Sequence, residues 1–155
     1  MISLRRKNTG FSLFETLVTV AIAAVLATIT VPQLLTSLKT YRLASAVAAA
    51  KGAIQTTHYL AIMHGYPYQL TFNGNSATYS VASKPPGATS FVAVPPGTPT
   101  PIAGSNDNET INQTTVLQFN SNGTMTSSNA VFTISNGVAT EQITVSGVGY
   151  VSVTP

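Results

Sequence analysis

His58 and His64, with the carboxylates Glu15, Asp107, Glu109 and Glu141, are the side chains best able to ligate a metal or move a proton, and no cysteine accompanies them. The two histidines stand six residues apart on a stretch read as helix. Two ligands share a helix face at spacings of three or four, so these are read as surface or packing residues. Asp107 and Glu109 lie among Asn106 and Asn108 in a polar stretch whose composition would suit calcium. Its spacing lacks the glycine and the closing glutamate of an EF-hand loop, and no metal is expected there. Gly147 and Gly149 follow a strand candidate and open no helix, so they read as turn residues and not as a phosphate cradle. No nucleophile stands beside a base. The expectation is a protein that is not an enzyme and takes no cofactor. Asn108-Glu-Thr, Asn112-Gln-Thr and Asn122-Gly-Thr match the glycosylation acceptor pattern, which arises easily by chance in a chain this rich in Asn and Thr.

Glu15 is different, because it lies inside an apolar run, GFSLFETLVTVAIAAVLATITVP at residues 10–32, that follows Arg5, Arg6 and Lys7. An ionised side chain within a bilayer-spanning helix costs roughly 2.5–3.5 kcal/mol on insertion scales, so it asks for a partner that neutralises it. From Phe11 to Val31, at about 1.5 Å per residue, the run measures roughly 30 Å and matches a hydrocarbon core. The basic cluster keeps the start of the chain cytoplasmic and sends the rest outward. A secretory signal peptide cut after Ala27 is an alternative, but apolar cores of signal peptides run about 7–15 residues and lack a carboxylate. An uncleaved anchor is another.

Composition fits an exported small domain. Of 155 residues, about 120 remain beyond the basic start and the apolar run, enough for one small domain and not two. Charged residues make up 7%, against about 25% in ordinary soluble proteins, and Ser, Thr, Asn and Gly replace them. The formal net charge of +3 comes from Arg5, Arg6 and Lys7; beyond them Lys39, Arg42, Lys51 and Lys84 balance the four carboxylates. A strong basic field for nucleic acid is therefore absent. Without cysteine, packing alone must hold the domain.

The elements follow from periodicity. Residues 33–65 keep a helical spacing of apolar residues, with the end expected near Gly65. Pro32 removes a backbone donor and should kink the helix; two separate helices are the alternative. Ala44, Ser45, Ala46, Ala48, Ala49, Ala50 and Gly52 would make one side of this helix narrow, although alanine is also simply the best helix former. From Tyr66 the pattern alternates over 66–72, 77–81, 90–94, 115–119, 130–134, 142–146 and 149–153, which predicts antiparallel strands. Asn73-Gly74, Asn122-Gly123 and Asn136-Gly137 are read as turns of a meander. Residues 84–114 hold six of the nine prolines and are read as a loop with one edge strand at 90–94.

Gly10, Phe11 and Glu15 resemble the N-terminus of type IV prepilins and pseudopilins, in which a glycine precedes an aromatic residue and a glutamate is fifth after the cut. The resemblance implies that a prepilin peptidase removes residues 1–10, that the new amine of Phe11 is methylated, and that Glu15 meets that amine on a neighbouring subunit. It also implies a kink at Pro32. The later motifs Leu117-Gln-Phe, Asn122-Gly, Phe132-Thr-Ile, Ile143-Thr-Val-Ser and Gly149-Tyr-Val-Ser-Val are similar to the GspH/FimT type of minor pseudopilin. The implied fold is α+β: a transmembrane segment at 11–32, an amphipathic continuation at 33–65 and an antiparallel β-sheet domain at 66–155. The implied role is a structural subunit of a type II secretion pseudopilus or type IV pilus, with other pilins or pseudopilins, the prepilin peptidase and the inner membrane as partners. The domain would be periplasmic, and later part of the filament. The alternative is a pilus-displayed adhesin or DNA receptor, for which Tyr66, Tyr68 and Tyr79 could supply exposed aromatics. Members tied to DNA uptake carry basic residues near the C-terminus, whereas Gly147–Pro155 has no Lys or Arg, so no nucleic-acid partner is expected.

Overall fold

The computed structural model describes residues 12–74, 76–102 and 109–155. Helix α1 runs unbroken from Leu13 to His64, through Pro32. Ser12 caps it: its hydroxyl accepts from the Phe14 amide at 3.3 Å, and its carbonyl accepts from Glu15 and Thr16. Gly65 ends it with a φ of 71°, donating its amide to the Ala61 carbonyl in the left-handed cap that glycine adopts without steric penalty. The chain forms two compact units, Met1–Ser37 and Leu38–Pro155.

In the first unit the large apolar residues from Leu13 to Leu35 are exposed. The hydroxyls among them bond within the helix. Thr16, Thr19 and Thr28 donate to carbonyls three residues back, and Thr30 to one four residues back. The helix is long and apolar enough to cross a membrane, and these bonds satisfy the hydroxyls within it.

The second unit packs the rest of α1 on strands. Among the described residues nine strands make two antiparallel sheets. The first contains β1 (Tyr68–Asn73), β2 (Thr78–Ser83), β3 (Val92–Ala93), β4 (Thr100–Pro101) and β6 (Thr115–Phe119). It runs in the order β3-β2-β1-β6, with β4 pairing on the same edge of β2 as β3. The second contains β5 (Thr110–Ile111), β7 (Asn129–Ser135), β8 (Thr140–Ser146) and β9 (Val151–Thr154), in the order β5-β7-β8-β9.

Leu43, Ala46, Val47, Ala50, Ile54, Thr57 and Ala61 are buried. Their spacing of three and four marks one helical stripe. Leu70, Phe72, Leu117 and Phe119 meet it from the first sheet, and Phe132, Ile134, Ile143 and Val145 from the second. Phe72 and Phe132 join the sheets, with ring centroids 4.7 Å apart. Thr57, buried in this stripe, returns its hydroxyl to the Ala53 carbonyl at 2.7 Å.

The expected α+β architecture, one long apolar N-terminal helix with antiparallel sheet, is the observed one, with three differences of detail. The single meander is not formed: Asn122-Gly123 does turn the chain back on β6, with Phe119 and Met125 in an antiparallel bridge and the Thr126 amide donating to the Gln118 carbonyl, but the chain then passes into β7 of the second sheet. The small residues do not share a side. Ala46 and Ala50 face the sheets, whereas Ala44, Ser45, Ala48, Ala49 and Gly52 are exposed. In the proline-rich stretch the strand expected at 90–94 is the two-residue β3, and β4 and β5 are additional. Pro101 sits in β4 at a sheet edge, where a missing donor removes no ladder bond.

Candidate functional site

Gly10 and Phe11, the expected cleavage pair, lie outside the described residues, as does Asp107. Glu15 is the third residue of α1, in the sequence Ser12-Leu-Phe-Glu15, and is exposed in the first turn. A carboxylate there interacts favourably with the unpaired amides and the positive end of the helix dipole. The spacing of Ser and Glu is that of a capping box, a signal of the helix start that the apolar pattern alone did not give. Pro32 lies inside continuous helix, and its carbonyl accepts the Thr36 hydroxyl at 3.1 Å. Its own missing amide leaves the Thr28 carbonyl without the usual i+4 donor. Continuity through this position, and not a break into two helices, is what the chain adopts.

In the second unit the histidines serve packing. His58 is half-buried, its Nε2 2.8 Å from the Gly123 carbonyl oxygen and its ring 5.3 Å from that of Phe119. His64, at the last turn of α1, stacks on Tyr66 and Tyr68 at centroid distances of 5.6 Å, with Nδ1 2.8 Å from the Tyr68 hydroxyl. Burial, and then the neighbouring Tyr66 hydroxyl, push the Tyr68 phenol from 10.0 up to about 12. Tyr68 is only 4% exposed, and Tyr66 and Tyr79 are half-buried. The three tyrosines considered as an exposed binding set are therefore mainly sheet and core residues, as the alternation of a strand requires.

Glu109 is 5% exposed, and its Oε2 has no hydrogen-bond partner among the described residues. No cluster of three His, Asp or Glu gathers among the described residues. The buried amide of Asn136 was not anticipated as a tertiary contact. Its Nδ2 donates to the Lys39 carbonyl at 2.7 Å, while its Oδ1 accepts the Val138 and Ala139 amides at 3.1 and 3.0 Å. The Asn-Gly pair was legible as a turn signal, but a partner 97 residues away leaves no local trace.

Residues 5–31 match the prokaryotic N-terminal methylation motif. The fold is similar to that of the type IV minor pilin FimU of Pseudomonas aeruginosa strain PAO1 in a P21 crystal, with a TM-score of 0.54 at 14% identity over 75% of this chain and 90% of that one. A second crystal form of FimU, P65, aligns with a TM-score of 0.49 at 12% identity over 72% of this chain and 91% of that one. No curated protein matches the sequence. The chain thus carries a methylation motif at the head of a long apolar helix, followed by a pilin-like α+β fold.

Proposed function

We propose that the chain is a minor subunit, pilin or pseudopilin, of a type IV pilus or a type II secretion pseudopilus, and that it acts by assembly and not by catalysis. The observation that carries this reading is Glu15: one carboxylate near the start of an otherwise apolar exposed helix, within the matched methylation motif. In this reading the prepilin peptidase cuts between Gly10 and Phe11 on the cytoplasmic side of the inner membrane and methylates the Phe11 amine. The segment 11–32 spans, 33–65 continues the helix, and the β-rich part at 66–155 faces the periplasm. Bundled among apolar helices, the Glu15 carboxylate of one subunit meets the Phe11 amine of the next. Two unit charges ~4 Å apart at an effective dielectric of about 20 attract by about 4 kcal/mol, comparable with the cost of holding an isolated charge in lipid. Glu15 thereby sets register. Other pilins or pseudopilins are the partners, and the chain itself binds no nucleic acid.

The Glu15→Ala variant tests it. Incorporation into filaments is expected to be lost while the folded part, which lies tens of residues away in sequence, keeps its thermal transition. Normal incorporation of the variant would sink the register role.

A further inference from the structure

Three Asn-Gly pairs punctuate the β-rich part, Asn73-Gly74, Asn122-Gly123 and Asn136-Gly137. Each carries the parts of one covalent reaction. The backbone nitrogen of the residue after an asparagine can attack the side-chain amide carbon and close a five-membered imide, and a glycine there has no Cβ to obstruct it. Asparagine counts among the thermolabile residues. The same dipeptide is held in three different ways in this fold.

Asn136 is buried and its amide is engaged at both ends: Nδ2 donates to the Lys39 carbonyl at 2.7 Å, and Oδ1 accepts the Val138 and Ala139 amides. The nitrogen that would have to leave is therefore tied down. Asn73, half-buried at the end of β1, donates Nδ2 to the Thr78 hydroxyl at 3.0 Å, and its Gly74 amide is bound to the Thr114 hydroxyl at 3.1 Å. Asn122 is exposed, and among the described residues its Nδ2 has no partner. Its Oδ1 accepts from the Thr124 hydroxyl at 2.7 Å and from the Thr124 amide at 3.1 Å. Two donors on that oxygen hold the side-chain carbonyl in place and stabilise the negative charge that gathers there when a nucleophile adds. The Gly123 amide donates to the Asn120 carbonyl at 3.0 Å, so that bond must open before attack. At Asn136 the bonds of the side chain must open as well.

We propose that Asn122 is a self-modification site, the pair among the three that converts while the chain is folded. The Gly123 nitrogen bonds to the Asn122 Cγ. Its proton, carried by water, goes to Nδ2, which leaves as ammonia when the Cγ–Nδ2 bond breaks. Water then adds to either carbonyl of the imide and opens it to an aspartyl residue, or to an isoaspartyl residue whose main chain runs through Cβ. Either product sets a new carboxylate in residues 110–155, where Glu141 is the one charged side chain. The isoaspartyl product also lengthens the main chain by one carbon next to Gly123. That glycine has no room to shift: its carbonyl oxygen lies 2.8 Å from His58 Nε2, and an added Cβ would meet His58 and Ile62 at 3.0 Å. Isomerisation at 122 thereby breaks the contact between α1 and the connection that leaves β6.

The full-length chain, kept in detergent in warm, mildly alkaline buffer, is sampled over weeks by peptide mapping with mass spectrometry and by enzymatic methylation of isoaspartate. A second portion is kept unfolded in guanidinium chloride. In the folded chain Asn122 is expected to lose ammonia roughly tenfold or more faster than Asn73 and Asn136, whose bonds must first open. In the unfolded portion the three pairs should convert at similar rates. Thr124→Val, which matches the shape and removes the hydroxyl donor, should slow conversion at 122 severalfold in the folded chain and leave it unchanged in the unfolded one. Conversion at 122 no faster than at 73 or 136 in the folded chain, or confined to the unfolded portion, would refute the site. An equal or faster rate in folded Thr124→Val would refute the part given to that hydroxyl. The isoaspartyl fraction, separated by ion exchange, should unfold at a lower temperature than the fresh chain; an unchanged transition would refute the loss of the His58 contact.

Discussion

His58 Nε2 stands 2.8 Å from the Gly123 carbonyl oxygen, and the same ring lies so close to Gly149 that a Cβ added there would meet it at 3.0–3.2 Å. One side chain of α1 thereby contacts both the connection that leaves β6 and the turn between β8 and β9. A glycine is needed at 149 twice over, because its φ is 79° as well. Gly149→Ala should cost about 2–3 kcal/mol, part from the left-handed backbone and part from the ring. In a His58→Ala background the ring contribution disappears, so the same substitution should cost less by about 1 kcal/mol. Urea unfolding of the four proteins of this cycle measures it. Equal costs in the two backgrounds would show that the ring is not what excludes a side chain.

Asn136 offers a second test. Replacing it by Ala leaves the Lys39 carbonyl and the Val138 and Ala139 amides without their partner, which predicts a loss of about 1–3 kcal/mol. Asn136→Asp keeps an acceptor for the two amides but sets a carboxylate oxygen against a carbonyl, and should also destabilise. Thermal unfolding of a fragment beginning at Leu38 reads both. A transition for Asn136→Asp as high as the parent's would mean that the bond to Lys39 contributes nothing.

Much of this was legible beforehand, and the pattern of what was not has a physical cause. Periodicity is a local property, so the helix end at His64 and β6 at 115–119 follow from spacing and a glycine. The choice of strand partner is not local. Asn122-Gly123 turns the chain as its signal implied, with Phe119 bridging to Met125, but the strand that follows joins a second sheet, where Phe132 packs on Phe72 and both rings are fully buried. Asn73-Gly74 was read as a turn whose residues tolerate positive φ. The positive φ falls instead on Ala77, at 43°, and an added Cβ on Gly74 would lie 2.8 Å from the Thr114 amide nitrogen. That glycine answers to a close approach by backbone forty residues away in sequence, and no window of residues around it could have said so. At the candidate site, Glu15 was conspicuous because a charge in an apolar run needs no tertiary context to be noticed.

Tyr68 predicts a pH dependence. Its phenol holds its proton up to about 12 in the folded chain and releases it near 10.0 when unfolded. Its contribution to stability is therefore complete below pH 10 and falls away as pH rises from 10 to 12, because across that window only the folded state keeps the proton. Tyrosinate absorbance should show a step near pH 12 that Tyr68→Phe removes. Tyr66→Phe, which removes the neighbouring hydroxyl, should bring that late titration down while burial keeps it above the ordinary value. A titration of Tyr68 near 10.0 in the folded chain would contradict the burial argument.

The central claim, that this pilin-like chain is processed as a pilin at Gly10 and Phe11 and keeps its apolar helix for assembly, is tested most directly by intact mass. The chain would be recovered from membranes of cells that carry a prepilin peptidase and of matched cells that lack it. The account predicts a peptidase-dependent loss equal to residues 1–10, with or without one added methyl group. The same mass in both strains, or a cut after Ala27, would contradict it.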